Sequence, residues 1–259
     1  MNFGRILVLS KNVFREVVRD RILYVIGLYA LIVVASMRLL PEFAAATEDK
    51  MLLDFALAFM SGLGVIVAIF IGTNLVNKEI EKRTILMLIA KPISRSEFIA
   101  GKFLGLSAVL TVLVLAMTAI MLGCLQIAKV AYSIQDITIA LIFLLLQLCL
   151  IAAVAITLGV FTSSLLATAL TFGIYLMGSI TQDLLKLGNI SRNPVIETIT
   201  QAIYLILPDL SRLDFKNEAV YGLQALPSFM TLVGNAGYGI FYSVMLLSLA
   251  ILLISKREF

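Results

Sequence analysis

The chain has 259 residues, of which 61% are hydrophobic and only 14% are charged, and it carries a formal net charge of +4 with no histidine. Its mean hydropathy is +1.06, whereas apolar residues make up only about half of an average soluble domain. This composition excludes an ordinary soluble enzyme and indicates a protein of the lipid bilayer.

Residues 1–21 are predicted to form an amphipathic helix. When the segment is wound at about 100° per residue, apolar side chains share one face and polar side chains share the other. The apolar face holds Phe3, Ile6, Leu7, Val13, Phe14, Val17 and Val18, and the polar face holds Arg5, Lys11, Asn12, Arg15 and Arg19. We expect this helix to lie on the inner membrane face as an interfacial anchor.

Five stretches without any charged residue predict the membrane spans. They cover residues 22–37, 55–76, 103–128, 137–182 and 219–255. Because a spanning helix needs about 20 apolar residues, the fourth stretch predicts two helices that break in the small and hydroxylated run 159–164. In the fifth stretch we assign the span to residues 236–254 and expect residues 220–233 to associate with the membrane without crossing it. The predicted fold is an all-α membrane protein with six transmembrane helices.

The basic residues favour one orientation of these helices. If the N-terminus is cytoplasmic, 13 of the 20 basic residues lie inside and 10 of the 16 acidic residues lie outside. The positive-inside rule therefore predicts that both termini are cytoplasmic. This asymmetry accounts for the net positive charge, so we predict no nucleic-acid partner.

Residues 77–102 are unusually polar for this chain, with six basic and three acidic residues. Residues 77–90 predict a helix that stops before Pro92, because proline disfavours helical conformation in the preceding residue. Ser94 and Glu97 form a capping box, which predicts that a new helix begins at about Arg95 and continues into the third span. Two interpretations remain open: a docking surface for a soluble protein, or an ordinary positively charged loop.

Two glycines follow this capping box. Gly101 and Gly105 form a G-x-x-x-G pair, which lets a second helix approach closely.

The same segment resembles the signature of type-2 ABC exporter permeases. That signature consists of an acidic residue with a following threonine, a Pro-x-Ser-Arg corner and a Gly-Lys pair, matched here by Glu81, Thr84, Pro92, Ser94, Arg95, Gly101 and Lys102. The nearest branch of the family resembles the NosY-like permeases. Arg83 departs from the pattern, because the family usually has glycine before the threonine.

The resemblance covers the whole chain and implies a single transmembrane domain, residues 1–259, in the bacterial inner membrane. It implies that residues 77–102 contain a coupling helix that binds a separate ATPase subunit through Glu79, Glu81, Arg83, Thr84, Pro92, Ser94, Arg95, Gly101 and Lys102. The implied complex has two copies of the permease and two ATPase subunits, which bind ATP and Mg. A periplasmic accessory protein is compatible with it. The outer segment, residues 186–235, is expected to form short helices between the fifth and sixth spans.

The sequence contains no nucleotide-binding motif that would supply energy for transport. Gly101 and Lys102 do not complete a G-x-x-x-x-G-K-[ST] phosphate loop, because Ser96 replaces the first glycine and Phe103 replaces the final hydroxyl residue. It also lacks the H-E-x-x-H and G-x-S-x-G motifs of metalloproteases and hydrolases. We predict a non-catalytic subunit with no cofactor bound to this chain.

Two other functions remain as alternatives. An ion-coupled secondary transporter usually carries an ionisable residue within a span, and the predicted spans have none. A structural membrane subunit without transport activity is also compatible with the sequence. The substrate is unassigned, with an apolar or amphipathic molecule favoured by the spans and a sulfur- or copper-related species implied by the resemblance.

Three sulfur-containing side chains share one predicted helix face. Met117, Met121 and Cys124 follow i, i+4, i+7 spacing, and soft sulfur ligands suit Cu(I). Methionine more often fills gaps in apolar cores, so packing is the favoured interpretation and no metal site is predicted.

Overall fold

The computed structural model describes residues 3–43, 48–81, 94–190, 194–221 and 227–256. All regular structure in these ranges is helical, which confirms the all-α prediction. The α-helices are α1 (Phe3–Val17), α2 (Leu23–Phe43), α3 (Glu48–Glu81), α4 (Arg95–Ala128), α5 (Ile134–Phe161), α6 (Ser164–Ser179), α7 (Thr181–Ile190), α8 (Pro194–Ile206), α9 (Lys216–Tyr221) and α10 (Phe229–Lys256). A π-helical turn, Val18–Ile22, joins α1 to α2, and a 3-10 turn, Leu210–Leu213, precedes α9.

Within the described residues, five helices are long and apolar enough to cross a membrane. They contain the segments Leu23–Leu40, Lys50–Glu79, Arg95–Ala128, Ile134–Phe161 and Phe229–Ser255. A sixth crossing exists if α6 and α7 count as one span, because Ser164–Ser179 and Thr181–Gly188 meet at a bend of 55°. The predicted six spans therefore correspond to five single helices and one bent pair.

The predicted break within the fourth apolar stretch is confirmed. Helix α5 ends at Phe161 and α6 begins at Ser164, after Ser163 in an extended conformation. Thr162 ends α5 as its C-cap: its backbone N–H and its hydroxyl both donate to the carbonyl of Leu158, at 2.9 and 3.1 Å.

Three predicted boundaries are corrected. The amphipathic helix ends at Val17, before the predicted residue 21, and the chain continues into α2 through the π-helical turn. Residues 77–81 belong to the end of α3 and begin no separate helix, since no proline or glycine interrupts residues 73–81. The remaining residues of the predicted coupling helix, 82–90, and the corner at Pro92 lie outside the described residues.

The third correction concerns the last span. Helix α10 begins at Phe229, so residues 229–233 are part of a crossing helix and the outer segment ends before it. The backbone N–H of Thr231 donates to the hydroxyl of Ser228 at 3.4 Å, which caps the helix at this position. Gly234 and Gly237 do not interrupt it, because a backbone in lipid has no water to replace the helical hydrogen bonds.

Helices α3, α4 and α5 form the centre of the bundle, with α2, α6 and α10 around them. Central side chains such as Leu110, Leu113 and Leu148 are fully buried, whereas Leu31 of α2 and Phe241 of α10 are 67% and 73% exposed. The exposed apolar faces of α2 and α10 suit contact with lipid or with another membrane chain.

Several helix ends meet at one end of the bundle, which we call the coupling end. It holds the last turn of α3, the first turns of α4 and α6, the last turn of α10, and α1. The hydroxyl of Ser164 donates to Asn74 Oδ1 at 2.7 Å, and Arg95 Nη1 donates to the carbonyl of Ser255 at 2.5 Å. The first and last described helices of the chain therefore lie at the same end.

Candidate coupling site

The start of α4 is fixed by the predicted capping box. The backbone N–H of Glu97 donates to Ser94 Oγ at 3.2 Å, and the backbone N–H of Ser94 donates to Glu97 Oε2 at 3.1 Å. Each bond satisfies an N–H group that the first turn of a helix leaves open. The capping prediction is confirmed, while Arg83, Thr84 and Pro92 of the predicted site lie outside the described residues.

A buried ion pair joins α4 to α3. Lys102 Nζ lies 2.5 Å from Glu79 Oε1 and 5.6 Å from the centroid of the Phe98 ring. Lys102 is only 6% exposed, and a charge at such a site requires a partner because its hydration has been lost. Glu79 and Lys102 flank residues 82–93 on either side, so the pair fixes the two ends of this segment relative to each other.

Two further basic side chains bind the coupling end together. Arg5 of α1 lies 4.0 Å from the carboxylate of Glu97, which is itself 4% exposed. Arg95 binds the carbonyl of Ser255, and a cation at a helix C-terminus is stabilised by the open carbonyls and the helix dipole. The first turn of α4 is therefore in contact with both α1 and α10.

The predicted G-x-x-x-G pair is a contact surface for α1. A Cβ added at Gly101 would lie 2.7 Å from Leu9 Cβ, and one added at Gly105 would lie 2.7 Å from Val13 Cβ. Of the predicted apolar face of α1, Ile6, Val13 and Val17 are buried, whereas Phe3 and Leu7 are 76% and 63% exposed. Helix α1 thus packs on α4 with one side and leaves other apolar side chains exposed, as expected of an interfacial helix.

We expect Gly105→Ala to loosen α1. The added methyl group would lie 2.9 Å from the carbonyl oxygen of Ser10 as well as close to Val13, so the two helices have to separate. Overpacking of this kind costs about 1–3 kcal/mol. Gly123→Ala is the matched control, because nothing lies within 4 Å of its added Cβ on the same helix.

Thermal unfolding of the two purified variants measures the difference. Both substitutions gain the same helix propensity, about 1 kcal/mol. We expect a lower midpoint for Gly105→Ala than for Gly123→Ala; equal midpoints would show that α1 does not pack tightly on α4.

A polar seam between α3 and α6 was missed by sequence reasoning. Thr73 and Thr168 hydroxyls lie 3.0 Å apart, and Ser164 donates to Asn74. Asn77 is 3% exposed, and its Nδ2 has no hydrogen-bond partner among the described residues. The available signal was the placement of three polar residues, 73, 74 and 77, around the end of the apolar stretch 55–76.

The low-ranked metal candidates lie in the hydrophobic core. Met117 and Met121 are 0% exposed and Cys124 is 6% exposed. The hydroxyl of Thr118, between them, lies 4.0 Å from the sulfur of Met60 on α3. Among the described residues no group of three or more His, Cys, Asp or Glu side chains could hold a metal.

The observed spanning helices carry ionisable residues that the shorter predicted spans did not include. Glu97 and Lys102 lie in the first turns of α4, and Asp136 lies in the first turn of α5. Asp136 is 1% exposed, and neither carboxylate oxygen has a hydrogen-bond partner within the described ranges. All three residues lie near helix ends, as do Arg38 of α2 and Lys50, Asp54, Lys78 and Glu79 of α3, so the described helix centres remain uncharged.

The opposite end of the bundle is covered by what we call the outer cap, residues 194–221. Its α8, 3-10 turn and α9 confirm the expected short helices. Asp209 is 2% exposed and accepts hydrogen bonds from Ser211 Oγ at 2.5 Å, Arg212 Nε at 3.0 Å and Gln182 Nε2 at 3.3 Å. Burial lowers the pKa of Arg212, but its bonds to Asp209 and Tyr204 outweigh that effect, so the pKa is raised and the guanidinium stays charged.

The outer cap is also bound to α10 and α6. The backbone N–H of Asp209 donates to the hydroxyl of Tyr238 on α10 at 2.8 Å, and the Arg212 guanidinium lies 5.1 Å from the centroid of the Tyr238 ring. A Cβ added at Gly178 of α6 would lie 2.6 Å from the carbonyl of Pro208. The cap therefore closes the bundle opposite the coupling end.

Comparison with known protein families gives a match that covers nearly the whole chain. No curated protein matches the sequence. The family model described as "ABC-2 family transporter protein" matches residues 7–256, from α1 through the coupling end and the outer cap to the last turn of α10. The chain is a member of the ABC-2 family of transporter membrane proteins.

Proposed function

We propose that this chain is the permease subunit of an ATP-driven exporter and that a separate ATPase drives it through residues 77–102. Membership in the ABC-2 family supports association with an ABC ATPase. The observation that carries the proposal is the Glu79–Lys102 ion pair, because it fixes the two ends of the segment that would bind that ATPase.

The mechanism follows from these contacts. Residues 82–93 connect α3 to α4, and both helices belong to the buried centre of the bundle. A force applied to this segment reaches α3 through Glu79 and α4 through Lys102 and the Ser94 cap. Since packed helices move as rigid bodies, a displacement at the coupling end is transmitted along both helices.

The assembly that we propose has two copies of the permease and two ATPase subunits, which bind ATP and Mg. One bundle of five or six spans forms half of a translocation pathway, and a second copy completes it. A periplasmic accessory protein is compatible with the outer cap. We place the complex in the bacterial inner membrane with both termini in the cytoplasm, because the coupling end is the basic end.

Finer parts of the assignment remain predictions. Membership of the NosY-like branch and a sulfur- or copper-related cargo rest on the sequence resemblance alone. The docking role of Glu81, Arg83, Thr84 and Pro92 is untested, and Glu79, Gly101 and Lys102 have contacts inside this chain.

The proposal is tested by charge reversal at Glu81. The tagged permease is purified from its membrane with its ATPase, and the amount of ATPase and the ATP turnover are measured. Loss of one partner of a close charge pair costs about 2–5 kcal/mol. Glu81→Lys should therefore reduce the amount of recovered ATPase more than tenfold, or leave the ATPase bound with an ATP turnover that no longer depends on the permease. Membrane insertion should be unchanged.

Glu197→Lys is the matched control, because Glu197 is an exposed acidic residue of the outer cap. It should leave both the ATPase recovery and the turnover at wild-type values. Wild-type values in Glu81→Lys as well would contradict the docking role, and a permease purified without any ATPase would favour the structural or ion-coupled alternative.

A further inference from the structure

A cavity of about 460 Å³ lies at the coupling end among α1, α2, α3 and α4. Its lining residues are Glu16, Val17, Val25, Ile66, Val67, Phe70, Ile71, Asn74, Leu75, Lys78, Glu79 and Lys102. Two of them, Ile66 and Phe70, are 48% and 54% exposed on the side of the bundle. The cavity therefore opens sideways to the bilayer, and its volume falls in the range of ligand sites.

The lining changes from apolar to polar along α3. The part of the cavity further from the coupling end is lined by Ile66, Phe70 and Ile71. The part at the coupling end is lined by Lys78 and Glu79. Residues 66 and 78 are separated by about 18 Å at 1.5 Å per residue. This length is slightly more than half of the roughly 30 Å hydrocarbon thickness, so the cavity has the depth and polarity of one lipid leaflet.

The polar part carries charges of both signs. Glu79 and Lys102 neutralise each other in their ion pair. Glu16 and Lys78 have no ion-pair partner among the residues that the structure describes. A ligand with one anionic group and one cationic group satisfies both side chains, whereas a singly charged headgroup leaves one of them unmatched.

We propose that this cavity binds one phospholipid with a phosphoethanolamine headgroup. The phosphate binds Lys78, the primary ammonium binds Glu16, and an acyl chain lies along Ile66, Phe70 and Ile71. A primary ammonium donates hydrogen bonds to a carboxylate, which the quaternary ammonium of choline cannot do. The lipid thereby connects α1 to α3. This inference depends on membrane insertion and is independent of ATPase coupling.

The test uses the full permease complex in nanodiscs and a fluorescent phosphatidylethanolamine as the probe. Phosphatidylglycerol, phosphatidylcholine and soluble phosphoethanolamine are the competitors. We expect one probe molecule to bind per chain. Compared with unlabelled phosphatidylethanolamine, phosphatidylglycerol and phosphatidylcholine should compete about fivefold more weakly. Soluble phosphoethanolamine should compete at least a hundredfold more weakly, because it lacks the acyl chains.

Paired variants locate the site. Lys78→Gln and Glu16→Gln should each weaken probe binding about fivefold, and Lys78→Arg should retain it. Val25→Trp should weaken it as well, because the indole ring occupies part of the cavity. The controls are Lys11→Gln, at an exposed cation of α1 outside the cavity, and Leu115→Trp, at a 60% exposed position of α4; both should bind as wild type does.

Three results would overturn the proposal. Equal binding by Val25→Trp and Leu115→Trp, with both variants monodisperse, would place the lipid elsewhere. Preference for phosphatidylglycerol that Glu16→Gln does not change would refute the zwitterionic headgroup. Competition by phosphoethanolamine at lipid-like concentrations would identify a soluble ligand. A failure of ATPase recovery alone would leave the lipid result intact.

Discussion

Lys102→Ala is expected to destabilise the protein by about 3 kcal/mol. It should also make the ATP turnover of the complex independent of the permease. The substitution leaves the carboxylate of Glu79 beside an apolar side chain, and breaking a buried pair costs about 3–5 kcal/mol. The lower end of that range applies, because the Glu79 side chain is 28% exposed and partly solvated. The free energy of unfolding of the purified permease and the ATP turnover of the complex are the two measurements.

An exposed pair of the same type is the control. Lys186 Nζ lies 3.1 Å from Asp183 Oδ1, and their side chains are 68% and 73% exposed. Lys186→Ala should therefore cost less than about 1 kcal/mol. Equal losses from Lys102→Ala and Lys186→Ala would contradict the buried role of Lys102.

A double variant separates stability from coupling. Glu79→Gln combined with Lys102→Met leaves neither charge buried alone, so most of the lost stability should return. ATP turnover should remain independent of the permease, since the Glu79–Lys102 contact between α3 and α4 is lost. Full recovery of both properties would mean that the pair contributes to folding alone.

Asp209→Ala should open the outer cap. Three donors bind this carboxylate, from Gln182, Ser211 and Arg212, and the substitution leaves each without its acceptor. Unpaired buried donors cost about 1–3 kcal/mol each, but Arg212 is 38% exposed and water replaces part of its loss. We expect a total destabilisation of about 2–3 kcal/mol.

Trypsin cleavage after Arg212 reports the opening directly. Cleavage needs local unfolding of the 3-10 turn, so its rate should rise in Asp209→Ala and rise less in Asp209→Asn, which keeps one acceptor. Asp183→Ala, at an exposed acidic residue of α7, is the control and should be cut at the wild-type rate. An unchanged rate in Asp209→Ala would show that the cap does not depend on this cluster.

The sequence by itself determined the features that depend on local chemistry. Charged side chains avoid the bilayer interior, so uncharged stretches located the spans, although the helices α3, α4 and α10 begin seven or eight residues earlier than the predicted spans. The capping box of Ser94 and Glu97 and the break before Ser164 were equally readable, because their hydrogen bonds join residues only three or four positions apart. The start of α10 was misplaced at residue 236, because Pro227 and the polar and glycine positions of residues 220–233 indicated a segment that does not cross, whereas the helix begins directly after Ser228.

Only the tertiary structure decided which of these helices meet. The Glu79–Lys102 pair joins residues 23 positions apart, and the Arg95 contact to Ser255 spans 160 positions. The resemblance assigned Lys102 to the coupling segment, and only the packing of α3 against α4 shows that its side chain is buried beside Glu79. The partner of Gly101 on α1 was likewise undetermined, because small residues permit a close approach by any helix and the assembled fold selects one.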